Sequence, residues 1–187
     1  MYIYLIRHTT PNVSRDICYG QTDLDVVSTF EEEANQIRAL LPDLEAVPFY
    51  SSPLLRCKKL AHYLKGEQII FDDRLKEMNF GDWEMMPWAD INPEKLQLWM
   101  KSFVETRTPN GECQKDVYAR VVSFWEELIS QAHPTVAVVA HYGILQSLVA
   151  YLLQTPLEKA FRIELGYGAM IRIHLGEKGY CKIKFLR

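Results

Sequence analysis

The sequence predicts an α/β fold of three layers, with a mixed, mainly parallel sheet flanked by helices. Three observations carry this expectation. Short apolar runs alternate with helical apolar periods along the 187 residues, the pattern of a layered domain with a parallel sheet. Two of the runs, 2–6 and 135–140, are apolar nearly throughout, as strands covered on both faces are. The last two runs, 169–175 and 180–186, flank the turn Gly176-Glu177-Lys178-Gly179, and such a hairpin sets its two strands antiparallel. No linker, repeat or low-complexity tract divides the chain, so one domain over 1–187 is expected, long enough for a substantial core.

Each element has its own signal. Tyr2 to Ile6 reads as a buried strand. Residues 11–27 lack a helical period and contain Gly20, Asp23 and Asp25, so they form a long loop, a length that is often functional. Ser28 offers a helix N-cap with Glu31 as its capping-box partner. Phe30, Ala34, Ile37 and Leu41 then share one helix face, and Pro42 ends it. Residues 47–50 form a second strand. Ser51-Ser52-Pro53 opens a helix with proline at its first position. Cys57, Leu60, Ala61 and Leu64 give that helix its stripe, and Gly66 stops it. Residues 69–71 are a third strand, and 72–93 a second irregular region. Val117, Val121, Phe124, Trp125, Leu128 and Ile129 mark a helix that ends before Pro134. A helix over about 144–153 follows the strand 135–140. In 169–175, Ala169, Ile171, Ile173 and Leu175 alternate with Met170, Arg172 and His174, the pattern of a half-buried strand.

Composition excludes several classes of function. A net charge of -3 provides no basic field, so nucleic acid is not an expected partner. No apolar run approaches the ~18 residues of a membrane span. The first strand is too short for a signal-peptide core. A cytoplasmic protein is expected, with the sequon Asn12-Val13-Ser14 unused. Cys18, Cys57, Cys113 and Cys181 form no C-x-x-C pair, so neither zinc nor a redox couple is indicated. Oligomeric state is not legible.

In layered α/β folds, ligands gather at the carboxyl ends of the strands. Arg7-His8 follows the first strand, the segment from Ser51 to Arg56 the second, Leu75 to Glu84 the third, and His141-Tyr142-Gly143 the strand 135–140. Two arginines, two histidines and a glutamate thus converge. Paired guanidiniums suit a phosphoryl group, because each offers forked donors and a permanent charge. The helix starts after Ser52 and Gly143 add backbone donors.

The segments LIRHTTP, SSPLLRC, LKEMNFGDWE, NGECQKDVYARV and VVAHYG together resemble the histidine phosphatase superfamily, the phosphoglycerate-mutase-like fold. Thr9 stands where that family has glycine after Arg-His. With CYGQTDLDV at 18–26, this resembles the α-ribazole phosphatase branch, which removes phosphate from α-ribazole 5′-phosphate in cobalamin nucleotide-loop assembly. Met85 replaces a common glycine, and Cys113 a common serine. The resemblance implies His8 as nucleophile and Glu77 as proton donor. It implies Arg7, Arg56 and His141 as holders of the phosphoryl oxygens, and Gln21 and Thr22 on the substrate side. It implies no metal and no cofactor, and a small phosphomonoester as the partner in the site. Glu84 would orient its neighbours.

The physics agrees with these roles. Two nearby cations keep His8 neutral, as a nucleophile must be. The alternatives are a broad-specificity phosphatase or a phosphoglycerate mutase on the same fold, and more remotely a non-catalytic binding module. The spacing Cys181-x₅-Arg187 matches a cysteine-phosphatase pattern, but an alternating strand without glycines makes no phosphate cradle. His62, His133 and His174 receive no role. The four tryptophans are read as packing, with Trp88 and Trp99 placed to shape a pocket mouth over an aromatic substrate.

Overall fold

The computed structural model describes residues 1–177 and 180–187. Lys178 and Gly179 of the expected hairpin turn lie outside them. Strand β1 (Tyr2–Arg7) is followed by the long loop and helix α1 (Phe30–Arg38). Then come β2 (Phe49–Ser51), α2 (Leu55–Lys65) and β3 (Ile69–Phe71). Helices α3 (Pro93–Lys101) and α4 (Gln114–Ser130) precede β4 (Thr135–Ala140), α5 (Tyr142–Leu152), β5 (Met170–Leu175) and β6 (Cys181–Phe185). Short 3₁₀ turns fill much of the irregular stretch between β3 and α3.

The six strands form one mixed sheet in the order β3-β2-β4-β1-β5-β6. The first four are parallel; β5 runs antiparallel to β1, and β6 to β5. Residues alternate across a strand, so β1 sends Ile3 and Leu5 into one core with α4 and α5, and Tyr4 and Ile6 into a second with α1 and α2. Two helical layers therefore cover the sheet, and each buried Ile or Leu contributes on the order of 1.5–3 kcal/mol.

The structure corrects several boundaries. Helix α1 is entered through Thr29, not Ser28, and the expected Ser28–Glu31 box does not form; Thr29 instead donates to Glu33 at 2.8 Å. Helix α2 starts two residues after Pro53, because Asp23 of the long loop reaches back to accept from the Leu55 N–H at 2.5 Å. Met170 is fully buried among α1 and α2, so β5 is covered on both faces where it begins. Helix α3 was not expected. Asn92 caps it by accepting from the Lys95 N–H, and Pro93 occupies its first turn. The Cys181-x₅-Arg187 spacing spans the extended strand β6, as expected.

Candidate active site

The topology places a crevice before any side chain is considered. Adjacent parallel strands β1 and β4 pass their chains to opposite faces: β1 leads to α1, and β4 leads to α5. That divergence opens a cleft at their carboxyl ends. His8 and His141 are the first residues past those ends, and their ring centroids lie 5.0 Å apart. The His8 backbone is fixed from both sides, by its N–H to Ala140 O (3.0 Å) and by its carbonyl to the Gly168 N–H (3.0 Å).

The His8 ring is buried, and its Nδ1 lies 2.7 Å from the Thr9 carbonyl. A carbonyl only accepts, so Nδ1 carries the proton and Nε2 keeps a free lone pair. Burial first, then the charges of Arg56 and Arg7, hold this imidazole well below its ordinary pKa, against the opposing pull of the Thr9 carbonyl. His141 is likewise buried and held neutral, by burial and then by Arg56. Its Nε2 meets Ser52 Oγ at 2.7 Å. Cys57 Sγ lies 3.4 Å from the same nitrogen, but burial pushes that thiol up, so it stays protonated.

Thr9 is fully buried where the resemblance leads one to expect glycine. Its φ is not in the left-handed region, so a β-carbon is tolerated there. Met85 is different: its φ is +65°, a conformation that favours the glycine common at that place.

Both arginines are packed rather than flexible. Arg56 is fully buried and donates to the carbonyls of Gly20 (2.6 Å) and Thr22 (3.0 Å). Arg7 donates to the Leu165 carbonyl and lies over the Tyr167 ring at 4.1 Å and the Tyr142 ring at 4.9 Å. Each keeps an Nε without a partner among the described residues. A buried guanidinium with an unspent donor is a ready anion ligand. The tyrosines that stack on these arginines were missed in the sequence. Tyr19 lies over Arg56 and is joined to Tyr167 by a 2.8 Å hydroxyl contact.

Glu77 projects into the same cleft. Its Oε2 accepts from the Gly143 N–H at the start of α5 (3.3 Å), and its Oε1 from the Met78 N–H (3.0 Å). A β-carbon on Gly143 would come within 2.7 Å of Oε1, so glycine lets the carboxyl approach. Arg7, His8 and Glu77 together line a cavity of about 210 Å³. The remainder of its wall is largely apolar, with Ile17, Phe80, Trp88, Trp99 and Phe161.

Gln21, Thr22, Arg56 and His141 are not among the residues that line this cavity. The Gln21 amide donates to the Glu77 carbonyl at 3.0 Å, and the Thr22 hydroxyl to Glu84 at 2.6 Å. Both polar ends hold the loop and the Glu77 segment together. Glu84 orients that loop, accepting from the N–H groups of Gly20, Gln21 and Thr22. Among the described residues, no cluster of three or more metal-ligating side chains occurs, and no helix is long and apolar enough to cross a membrane.

Comparison with known proteins adds to this geometry. The sequence model of the Histidine phosphatase superfamily (branch 1) matches residues 3–186. The "Putative phosphoserine phosphatase 2" of Hydrogenobacter thermophilus is 29% identical, over 94% of this chain and 91% of its own. The adenosylcobalamin/alpha-ribazole phosphatase of Escherichia coli K12 is 27% identical, over 95% and 92%. Among solved structures, the alpha-ribazole phosphatase of Shigella flexneri superposes with a TM-score of 0.90 at 25% identity, covering 100% of this chain and 96% of that one.

Proposed function

The chain belongs to the histidine phosphatase superfamily, branch 1, and from that premise we propose that it is a phosphomonoesterase working through a phosphohistidine at His8, with α-ribazole 5′-phosphate as its substrate. One observation supports the chemistry: a buried imidazole with an unprotonated Nε2, held neutral by burial and by the charges of Arg56 and Arg7, shares a cavity wall with a carboxyl group.

In the first step, the Nε2 lone pair forms a bond to phosphorus while the ester P–O bond breaks. Glu77 passes its proton to the departing oxygen, leaving a free alcohol. In the second step, the Glu77 carboxylate takes a proton from water, whose oxygen attacks phosphorus as the P–N bond breaks. Phosphate leaves, and both side chains regain their starting states. Arg7, Arg56 and His141 hold the equatorial oxygens throughout. Phosphoryl transfer depends mostly on such positioning and charge, and the guanidiniums supply the cationic field a metal ion gives elsewhere. General acid catalysis by Glu77 accounts for about 10²–10⁴-fold.

The substrate is inferred from the wall. Rings of Phe80, Trp88, Trp99 and Phe161 suit a planar aromatic leaving group. Two relatives bear the α-ribazole phosphatase name, and a third is named for phosphoserine. The reaction would take place in the cytoplasm, where the four free thiols stay reduced.

The deciding experiment measures phosphate release from α-ribazole 5′-phosphate, phosphoserine and 3-phosphoglycerate without added metal, and traps the labelled intermediate. Label on His8 and preference for α-ribazole 5′-phosphate are expected. Label elsewhere removes the mechanism; preference for another ester removes only the substrate.

A further inference from the structure

We propose that Arg120 is a positioning residue for the proton donor, fixing the Glu77 carboxyl in the cavity by gripping the backbone that carries it. The inference rests on the role assigned above to Glu77 and adds a residue to that machinery.

Glu77 stands on chain outside regular secondary structure. A short turn, Asp73–Leu75, precedes it, and residues 76–80 belong to no strand or helix. Arg120 stands on α4, a 17-residue helix whose Val117 and Val121 are fully buried in the core. From that base its guanidinium reaches the Glu77 segment. Nη1 donates to the carbonyls of Arg74 (2.7 Å) and Lys76 (2.6 Å), and Nη2 to the carbonyl of Glu77 itself (3.0 Å). The remaining donors go to Glu112, Nε at 3.0 Å and Nη2 at 3.1 Å. Glu112 clamps the next stretch of the same segment: its carboxylate accepts from the Asn79 N–H, and its own N–H donates to the Asn79 carbonyl, each at 2.8 Å.

The donor inventory separates this arginine from the other two. A guanidinium has five N–H groups, and Arg120 has spent all five on three carbonyls and one carboxylate. It has none to offer a phosphoryl oxygen. Arg7 and Arg56 each retain an unpartnered Nε. The three arginines thus divide into two that can bind an anion and one that holds the acid. Lysine cannot replace Arg120, because an ammonium lacks the planar fork that spans carbonyls on successive residues. Misplacement of a catalytic group by about 1 Å costs on the order of 10²-fold.

The test exploits the leaving group. An alkyl phosphate such as glycerol 2-phosphate needs a proton on its departing oxygen, whereas p-nitrophenyl phosphate releases a stable phenolate. Because Glu77 also activates water in the second step, which both esters share, the readout is the single-turnover rate of phosphoryl transfer to His8. Arg120→Lys is expected to lower that rate by about 10²-fold on the alkyl ester and to leave it nearly unchanged on p-nitrophenyl phosphate. Glu77→Gln should show the same selective loss, and adding Arg120→Lys to it should cost nothing more on the alkyl ester. Glu112→Gln, which keeps the shape of the clamp, repeats the measurement if Arg120→Lys fails to fold. Equal losses on both esters, or an unchanged ratio in a folded variant, overturn the proposal. If Glu77→Gln itself shows no selectivity, the role of Glu77 fails and this inference with it. If Glu77→Gln is selective and the clamp variants are not, the inference alone fails.

Discussion

Glu84 and Arg56 grip the same short loop, Glu84 through its N–H groups and Arg56 through its carbonyls. The Glu84 carboxylate accepts the backbone N–H groups of Gly20, Gln21 and Thr22, with the Thr22 hydroxyl and the Phe80 N–H as further donors. Arg56 donates to the carbonyls of Gly20 and Thr22. The loop acts as a spacer that sets one buried guanidinium from one carboxylate. Glu84→Gln keeps the shape and removes the charge, and an amide offers one acceptor oxygen where the carboxylate offers two. A loss of about 1.5–3 kcal/mol in unfolding free energy is expected, the range for hydrogen bonds to a charged group, read from urea midpoints. Weaker inhibition by inorganic phosphate should accompany it as Arg56 loses its support. Unchanged phosphate inhibition would detach Glu84 from the site.

The two buried histidines make stability depend on pH. His8 and His141 both titrate well below their ordinary value of 6.5 in the folded chain. The unfolded chain binds more protons between the folded pKa values and about 6.5, so stability rises with pH through that window. Their contribution is complete above about pH 6.5 and is lost as the pH falls. Glu84 and Asp116, held below the usual carboxylate range, add a similar loss only at lower pH. The melting temperature should therefore decline from pH 7 to 5. His8→Asn and His141→Asn should each flatten that slope, and a slope unaltered in both variants contradicts the burial of neutral imidazole.

Much of this was legible in the sequence, and the reasons differ by element. Strand β4 was read to the residue because a continuous apolar run marks a central strand covered on both faces; β3 was read likewise from its short apolar run, although it is the sheet edge with Ile70 and Phe71 exposed. Arg7, His8 and His141 were legible because strand ends are where such folds place chemistry. Helix α2 was read two residues early because its N-terminus is satisfied by Asp23, 32 positions away, and local capping rules do not reach that far. Helix α3 carries a local start signal in Asn92-Pro93, but Leu98 and Met100 are exposed beside buried Trp99, so no apolar stripe stands out. Arg120 lies in the segment NGECQKDVYARV that carries the resemblance, but its role there was not legible. Its targets are backbone carbonyls more than 40 residues away, and carbonyls have no residue type to recognise.

Met85 offers a stability test independent of catalysis. Its side chain is 45% exposed, its φ is +65°, and its N–H donates to the Cys18 carbonyl at 2.8 Å. A left-handed conformation costs a side-chain residue about 1–2 kcal/mol, and glycine loses about 0.5–1 kcal/mol in chain entropy relative to it. Met85→Gly keeps the hydrogen bond and gives up little burial, so a net gain of about 0.5–1 kcal/mol is expected from, seen as a higher urea midpoint with unchanged kcat. A lower midpoint would mean that Met85 packs against something that contributes more than the strain removes.

Trp88 separates recognition of the leaving group from the chemistry of phosphorus. Its ring lines the cavity and meets Phe80 edge-to-face at 5.8 Å, while the nucleophile and its guanidiniums lie on other elements. An aromatic contact is worth about 0.5–1.5 kcal/mol beyond its buried area, and about 1.4 kcal/mol is tenfold in affinity. Trp88→Ala should raise KM for α-ribazole 5′-phosphate by up to about tenfold. For a small alkyl phosphate that does not reach the ring, KM and kcat should stay as they are. Trp99 is a poor choice for the same experiment, because it is packed against Trp83 and Phe103 and its removal would cost about 3–5 kcal/mol of core. If Trp88→Ala raises KM equally for both esters, the ring supports the cavity as a whole. If it changes neither, the leaving group lies along another wall and the aromatic substrate loses its structural argument.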